Sequence, residues 1–244
     1  MSIEHIELNR GTSAQLFKLP QYMIDYLWEC IDVAKKKKIN VKKDLAGYIS
    51  KSYKLGDPQN LIYKHLMEIL LHPQSPAVKN IQLEIEKVYS KFTRARNIKL
   101  EPYLESLWVN FQKKGEFQPI HNHRGVFSFV IWMDIPYHWK DEAKLPFARP
   151  NNNGAQAPGG NFSFVHSDDT CRSVSTHGIP MSPEMNGYCC FFPSDLSHMV
   201  YPFYTSDKER ISISGNIILK PALAESQPPV VRAVDQTPFI ISNT

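Results

Sequence analysis

The hydrophobic pattern of the chain changes about 100 residues from its first residue. In the first part, apolar residues recur every three to four positions, the period of a helix that buries one face. A short strand over Ile3–Leu8 precedes these stripes, and glycines make residues 45–56 irregular. We therefore predict a mostly helical part over about residues 1–100. The predicted helices are Gln21 to the lysine run Lys35–Lys38, residues 61–70, and about Ala77 to Arg96.

Beyond residue 100, apolar and polar residues alternate or form short apolar runs, which is typical of strands. A Lys-Lys-Gly turn after Gln112 predicts a hairpin, and the turn Thr205–Glu209 predicts that the last two strands pair. A further edge strand is possible within Cys171–Ser182. The predicted strands are Tyr103–Gln112, Gly115–His123, Val126–Ile135, Asn161–His166, Tyr188–Phe192, His198–Tyr204 and Arg210–Leu219.

Helices followed by strands indicate an α+β fold whose strands close as a sandwich or a jelly roll. We expect one domain over residues 1–220, with the N-terminal helices packed against a β core over about residues 101–220. Residues 137–160 are rich in Pro, Asn and Gly and are predicted to form a long surface loop. Residues 221–244 contain four prolines and are predicted to form an extended tail.

Composition narrows the class of protein. Of 244 residues, 42% are hydrophobic and 21% are charged, as in an ordinary globular protein, and a net charge of +4 gives no reason to expect a nucleic-acid partner. The four cysteines form no CxxC pair, which favours a reducing compartment without a disulfide framework. Neither a signal peptide nor a membrane-spanning segment is visible, so a cytoplasmic location is the expectation.

Three histidines are the candidate metal ligands. His121 and His123 lie two residues apart in a segment predicted to be a strand, so both imidazoles would point to one face. Two imidazoles on one face can supply two ligands to a metal ion. His198 is the best candidate for the third, because it begins a strand just after the apolar run that Pro193 ends.

A polar row near the end of the β part is the candidate anion site. Along Arg210–Asn216, Arg210, Ser212, Ser214 and Asn216 share one face and isoleucines occupy the other. An inward-pointing arginine is costly unless an anion pairs with it, and its guanidinium matches a carboxylate in bidentate geometry. We therefore predict that Arg210 and Ser212 bind a ligand carboxylate near the metal.

Four segments resemble the Fe(II)/2-oxoglutarate-dependent dioxygenases, in the branch that includes prolyl hydroxylase-like enzymes. In order they are W-V-N-F-Q-K-K-G-E-F-Q-P-I-H-N-H, a strand ending in M-D-I-P, F-F-P-S-D-L-S-H-M-V-Y-P, and R-I-S-I-S-G-N, within Trp108 to Ile218. The resemblance implies a double-stranded β-helix (jelly-roll) core, Fe(II) as metal, and 2-oxoglutarate and O2 as co-substrates. By position, His121 and His198 are iron ligands, Arg210 and Ser212 hold 2-oxoglutarate, and Asn110 resembles a co-substrate contact.

His123 departs from this family pattern, because a carboxylate usually stands at its position. A third imidazole keeps the same coordination positions open but adds no negative charge. The resemblance implies a hydroxylase acting on a C–H bond, with a prolyl residue or another peptide or small molecule as substrate. Two other interpretations stay open: a cupin-like three-His dioxygenase that does not use 2-oxoglutarate, and a non-catalytic jelly-roll binding or structural protein.

Overall fold

The structure, a computed structural model, describes residues 3–9, 12–70, 100–148, 159–167 and 173–221. The predicted helix over residues 77–96 and nearly all of the predicted tail lie outside the described residues. The described part of the chain consists mostly of antiparallel β-sheet with few helices. None of the described helices has the length and apolar character needed to cross a membrane.

Eleven strands and three α-helices form the described part of the chain. Short 3-10 turns lie at Lys42–Asp44, Pro146–Ala148 and Pro183–Met185. The helices are α1 (Gln21–Lys37), α2 (Leu61–Leu70) and α3 (Trp139–Glu142). The strands are β1 (Ile3–Asn9), β2 (Thr12–Lys18), β3 (Lys51–Lys54), β4 (Leu100–Gln112), β5 (Gln118–His121), β6 (Phe127–Asp134), β7 (Phe162–Ser167), β8 (Val174–Ile179), β9 (Tyr188–Pro193), β10 (His198–Val200) and β11 (Arg210–Pro221).

The strands are arranged in two sheets. One has seven strands in the order β1-β2-β9-β6-β11-β4-β3, and the other has four in the order β5-β10-β7-β8. Two predicted pairings are wrong, because β4 and β5 lie in different sheets, as do β10 and β11. A turn motif predicts only that the chain changes direction, whereas the partner depends on which apolar faces meet. The predicted edge strand is confirmed as β8.

The prediction of a mostly helical N-terminal part is incomplete. α1 and α2 lie where the periodicity places them, but β1, β2 and β3 join the seven-stranded sheet. β2 pairs with β9, and β3 pairs with β4 inside the segment predicted to be irregular. Four to seven residues paired to a strand distant in sequence give little periodic signal, because their stability comes from that partner.

The hydrophobic core contains side chains from both sheets. Every residue of β6 from Phe127 to Met133 is buried, as its continuous apolar run predicts for a central strand. Trp132 from this strand packs in one cluster with Phe162 and Phe164 of β7 and with Phe192 of β9. Cys189 and Cys190 of β9 are both buried, and neither thiol is in a disulfide.

The chain divides into two compact units. Unit 1 comprises Met1–Gly56 and Ser106–Asn216, and unit 2 comprises Asp57–Glu105 and Ile217–Thr244. In unit 2, the Asp57 carboxylate accepts hydrogen bonds from the first turn of α2, and the Tyr63 hydroxyl donates to the Pro102 carbonyl over 2.6 Å. Burial raises the pKa of Tyr63 to about 12, which keeps this donor protonated. The predicted single domain over residues 1–220 stays a prediction.

Candidate metal centre and co-substrate cleft

His121 and His198 face each other across two neighbouring strands. They are partners in the antiparallel pair of β5 and β10, and their ring centroids lie 4.3 Å apart. His198 is only 3% exposed, because the aromatic rings of Phe162 and Phe192 pack against its imidazole. The sequence therefore places two imidazoles side by side in a site with apolar walls.

His123 lies close to the other two histidines, but it is not on the strand where it was predicted. β5 ends at His121, so the two histidines do not share a strand face as expected. Beyond His121 the chain turns at Gly125, whose φ is +114°, and the N–H of His123 donates to the Ser194 carbonyl over 2.8 Å. The His123 Nε2 atom nevertheless lies 3.2 Å from the Nε2 atom of His198.

Hydrogen bonds to the backbone set the tautomers of two of these imidazoles. The Nδ1 atom of His121 lies 2.7 Å from the Pro119 carbonyl oxygen, and that of His198 lies 2.9 Å from the Leu196 carbonyl oxygen. A carbonyl oxygen can only accept, so each Nδ1 carries the proton and each Nε2 keeps its lone pair. This is the arrangement that metal-binding histidines use, with the second nitrogen held by a carbonyl.

The electrostatics of the cluster favour neutral imidazoles. Burial lowers the pKa of His121, lowers that of His123 to about 4, and lowers that of His198 well below its usual range. Each imidazolium would also repel its neighbours. Because a metal binds the unprotonated nitrogen, three neutral imidazoles at neutral pH need lose no proton before they bind it.

These three side chains fit a metal ion. One ligand atom from each of the three lies within 4.8 Å of the others. Among the described residues, no other group of three His, Cys, Asp or Glu side chains has such geometry. Asp195, the nearest carboxylate in sequence to His198, is exposed and is not part of the group. The chemistry of the donor set matches a borderline metal such as Fe(II) rather than Mg²⁺.

The histidines line one cleft together with the predicted anion site. The cleft has a volume of about 450 Å³, including the open solvent at its mouth. Arg210 and Ser212 of β11 belong to its wall, as the alternating row predicts, and Ser214 continues it. The structure thus brings His121, His123 and His198 into the same cavity as Arg210 and Ser212.

Arg210 is a buried cation with no carboxylate partner among the described residues. It is 3% exposed, and its Nη1 donates to the Tyr137 hydroxyl over 2.9 Å and to the Gly160 carbonyl over 3.1 Å. Its Nε–H has no hydrogen-bond partner in the part of the chain that the structure describes. A buried unpaired charge costs several kcal/mol in such surroundings, so the site fits a ligand carboxylate.

Tyr137 and Gly160 hold the guanidinium in place. The Tyr137 hydroxyl donates to the Gly160 carbonyl over 2.5 Å, and burial raises the pKa of this phenol although the nearby Arg210 opposes the rise. Glu142, also buried, is occupied elsewhere: it accepts hydrogen bonds from the backbone N–H groups of Tyr204 and Thr205. The positive charge of Arg210 therefore remains available to a ligand.

Asn110 lies beside the cleft and already has a partner. It is 3% exposed, and its Oδ1 accepts a hydrogen bond from the Ser52 hydroxyl over 2.7 Å. Trp108 and Gln112, two positions before and after it on β4, line the cleft directly. The alternation of β4 places these side chains on one face, so it could have identified Gln112 and Trp108 as cleft residues. Tyr137 gave no such signal, because it follows the strand-ending Pro136.

Residues 106–216 match the family model described as "Putative 2OG-Fe(II) oxygenase". This span coincides with the second segment of unit 1 and contains the three histidines, Arg210 and Ser212. The resemblance predicted from the sequence is confirmed over these residues, which make up a little under half of the chain. The match is therefore to a class of enzymes that use Fe(II) and 2-oxoglutarate.

Several solved structures are similar to this chain. A prolyl-4-hydroxylase from Pseudomonas putida has 16% sequence identity and a TM-score of 0.42, with 84% of this chain and 90% of that chain covered. A prolyl hydroxylase from Trichoplax adhaerens, solved with a hypoxia inducible factor peptide fragment, has 10% identity and a TM-score of 0.41, covering 84% and 82%. A 2OG-Fe(II) family oxidoreductase from Burkholderia pseudomallei has 16% identity and a TM-score of 0.34, covering 71% and 63%. No curated protein matches the chain.

Proposed function

We propose that this oxygenase hydroxylates a C–H bond of a prolyl residue or of another peptide or small-molecule substrate. In this proposal His121, His123 and His198 hold Fe(II), and Arg210, Ser212 and Asn110 bind 2-oxoglutarate. The observation that carries it is a buried arginine, with no carboxylate partner in the described part of the chain, in the same cleft as three neutral imidazoles. An iron site alone would not need such a cation, whereas a dicarboxylic co-substrate does.

We infer that the seven-stranded and four-stranded sheets form a double-stranded β-helix, with α1 packed against it. The order of the strands supports this, since β6 and β9 of one sheet and β7 and β10 of the other contribute to one core. α1 also approaches the sheet closely at Gly187. A Cβ added at this glycine would lie only 2.6 Å from the Cδ1 atom of Ile24 on α1.

The protein contributes positions and electrostatics to the reaction. His121 and His198 present unprotonated Nε2 atoms, and the guanidinium of Arg210 orients a carboxylate at the other end of the cleft. Buried aromatic walls, including Trp132 and Phe192, keep water from the reacting atoms. When bound, Fe(II) with 2-oxoglutarate and O2 supplies the oxidant that converts a substrate C–H to C–OH, with release of succinate and CO2.

An apolar surface beside the cleft suits the substrate. Tyr48 is 68% exposed and stacks on Phe117, with ring centroids 4.9 Å apart. Their neighbours in sequence, Ile49 and Gln118, line the cleft. A flat exposed aromatic pair can pack against an apolar ring or side chain, as a prolyl residue would offer.

We also propose that the enzyme acts in the cytoplasm. It is proposed to have no nucleic-acid partner, as the modest net charge of +4 suggests.

Oxygen-dependent release of succinate is the first experiment. Protein purified anaerobically is given Fe(II) and 2-oxoglutarate, and succinate is measured after oxygen is admitted. Iron binding with no effect of 2-oxoglutarate would support the cupin-like interpretation instead. Absence of iron binding would support a non-catalytic protein.

Arg210→Ala tests the co-substrate assignment. The KM for 2-oxoglutarate should rise by about 10- to 100-fold, because a charge-assisted hydrogen bond contributes about 1.5–3 kcal/mol. Lys208→Ala is the matched control, since it removes one positive charge from an exposed position two residues away. An unchanged KM in Arg210→Ala would contradict the assignment.

A further inference from the structure

Four polar side chains form a hydrogen-bonded line that starts beside His123 and crosses three adjacent strands. Ser194, just after β9, lies with its Oγ 3.0 Å from the Oγ of Ser128 on β6. Ser128 donates to the Oδ1 of Asn216 on β11 over 2.9 Å, and the Nδ2 of Asn216 donates to the Oγ of Ser106 on β4 over 3.1 Å. We call these four residues the polar line.

The hydrogen bonds fix which atom donates in Ser194, Ser128 and Asn216. Asn216 donates through its nitrogen to Ser106, so its oxygen is the atom that accepts from Ser128. The single hydroxyl proton of Ser128 is used in that bond, so Ser194 must donate to Ser128. All the bonds therefore run in one direction, which lets each polarise the next. Ser128 and Ser194 are 1% and 0% exposed, so little water competes with them.

The Ser194 end of the polar line lies at the backbone that holds His123. The Ser194 carbonyl accepts the N–H of His123 over 2.8 Å, and the Ser194 N–H donates to the Val126 carbonyl over 3.1 Å. These two bonds clamp the segment between β5 and β6, in which residues 122–126 belong to no strand. His121 and His198, by contrast, are fixed by the pairing of β5 with β10.

We infer that Ser194, Ser128 and Asn216 are positioning residues for His123. They hold the imidazole at the metal position where the family usually has a carboxylate, although no strand supports it. The inference rests on the proposed function, because it assigns these residues to the metal through His123. A buried polar line would otherwise be costly compared with apolar packing, and here it links a loop to the centre of the seven-stranded sheet.

Co(II) binding to the apoprotein tests the inference without turnover. Kd is measured by calorimetry, and the visible absorption of bound Co(II) reports its ligand geometry. Ser128→Ala and Asn216→Ala should weaken Co(II) binding by about 10- to 100-fold, as loss of groups that orient metal ligands commonly does, and should change the absorption spectrum. Ser106→Ala, at the far end of the polar line, should have the smallest effect.

Ser182→Ala is the matched control. This serine is also buried, and its side chain bonds Glu184, outside the polar line. Circular dichroism and thermal unfolding identify any variant that does not fold; if Asn216→Ala is one, the single-hydroxyl change Ser128→Ala decides. Suppose that Ser128→Ala loses as much stability as Ser182→Ala but keeps the wild-type Co(II) affinity and spectrum. That result would overturn the inference about positioning and leave the proposed metal site standing. Failure of the wild-type protein to bind Co(II) would overturn the proposed metal site as well.

Discussion

At the scale of single residues, the co-substrate end of the cleft depends on a tight contact between Gly160 and Tyr137. Gly160 has a φ of +72°, and a Cβ at this position would overlap the Tyr137 ring. The close approach lets the Gly160 carbonyl accept hydrogen bonds from both Tyr137 and Arg210. A residue without a side chain is thus required where the backbone completes the support of the guanidinium.

Gly160→Ala should therefore impair co-substrate binding as well as stability. The new methyl group must displace the Tyr137 ring and with it the hydrogen bond to Arg210, so we expect a higher KM for 2-oxoglutarate. Overpacking and the positive φ together should cost about 1–3 kcal/mol in the free energy of unfolding. Steady-state kinetics and urea unfolding measure the two effects. Gly56→Ala is the control, because a Cβ there meets no atom within 4 Å; a normal KM in Gly160→Ala would refute the coupling.

At the scale of elements, local pattern predicted what each segment forms better than what it pairs with. The long apolar run of β6 and the helical stripe of α1 were both confirmed, since each carries its own signal over eight or more residues. β3, with four residues, was missed, because only its pairing with β4 makes it a strand. Sheet membership was missed for the same reason, since it depends on contacts distant in sequence.

The candidate site was also predictable only in part, because local sequence pattern shows which residues share a face but not which distant residues they contact. The alternation of β11 placed Arg210 and Ser212 on one face, and the structure puts both in the cleft wall. His123 was predicted near the metal for an incorrect reason, because it lies beyond the end of β5. The contacts of Tyr137 and Asn216 with other strands were not visible in any local pattern, since they exist only after the sheet forms.

At the end of α1, glycine substitutions at two neighbouring positions should change the stability of the protein in opposite directions. Lys38 caps the helix in the left-handed region at φ +50°, and its N–H donates to the Ala34 carbonyl over 2.8 Å. Glycine adopts this conformation without steric cost, so Lys38→Gly should stabilise the protein by about 0.5–1 kcal/mol. Lys37→Gly removes the same charge one residue earlier, inside the helix, and should destabilise by about 0.5–1 kcal/mol. Chemical unfolding of both variants measures the difference, and equal effects would contradict it.

At the scale of the whole molecule, the cleft contains groups that lower the free energy of unfolding, and the rest of the fold must offset this loss. Arg210 is buried without a carboxylate partner in the described residues, and one buried and two half-buried imidazoles lie close together. Both features destabilise the ligand-free protein relative to one with apolar side chains at these positions. They are tolerated because the ligands that remove these costs bind only the folded chain, which couples stability to loading of the site.

Loading the metal site should consequently raise the stability of the whole protein. At a free Co(II) concentration 100 times Kd, mass action predicts about 2.7 kcal/mol of added stability. For a protein of this size that corresponds to a rise in Tm of about 5–11 °C, measurable by anaerobic differential scanning calorimetry. Mg²⁺ should give no rise, because it prefers oxygen ligands to imidazole. His198→Ala removes the most buried of the three imidazoles and should abolish the Co(II) shift; a shift of wild-type size in that variant would place the metal elsewhere in the chain.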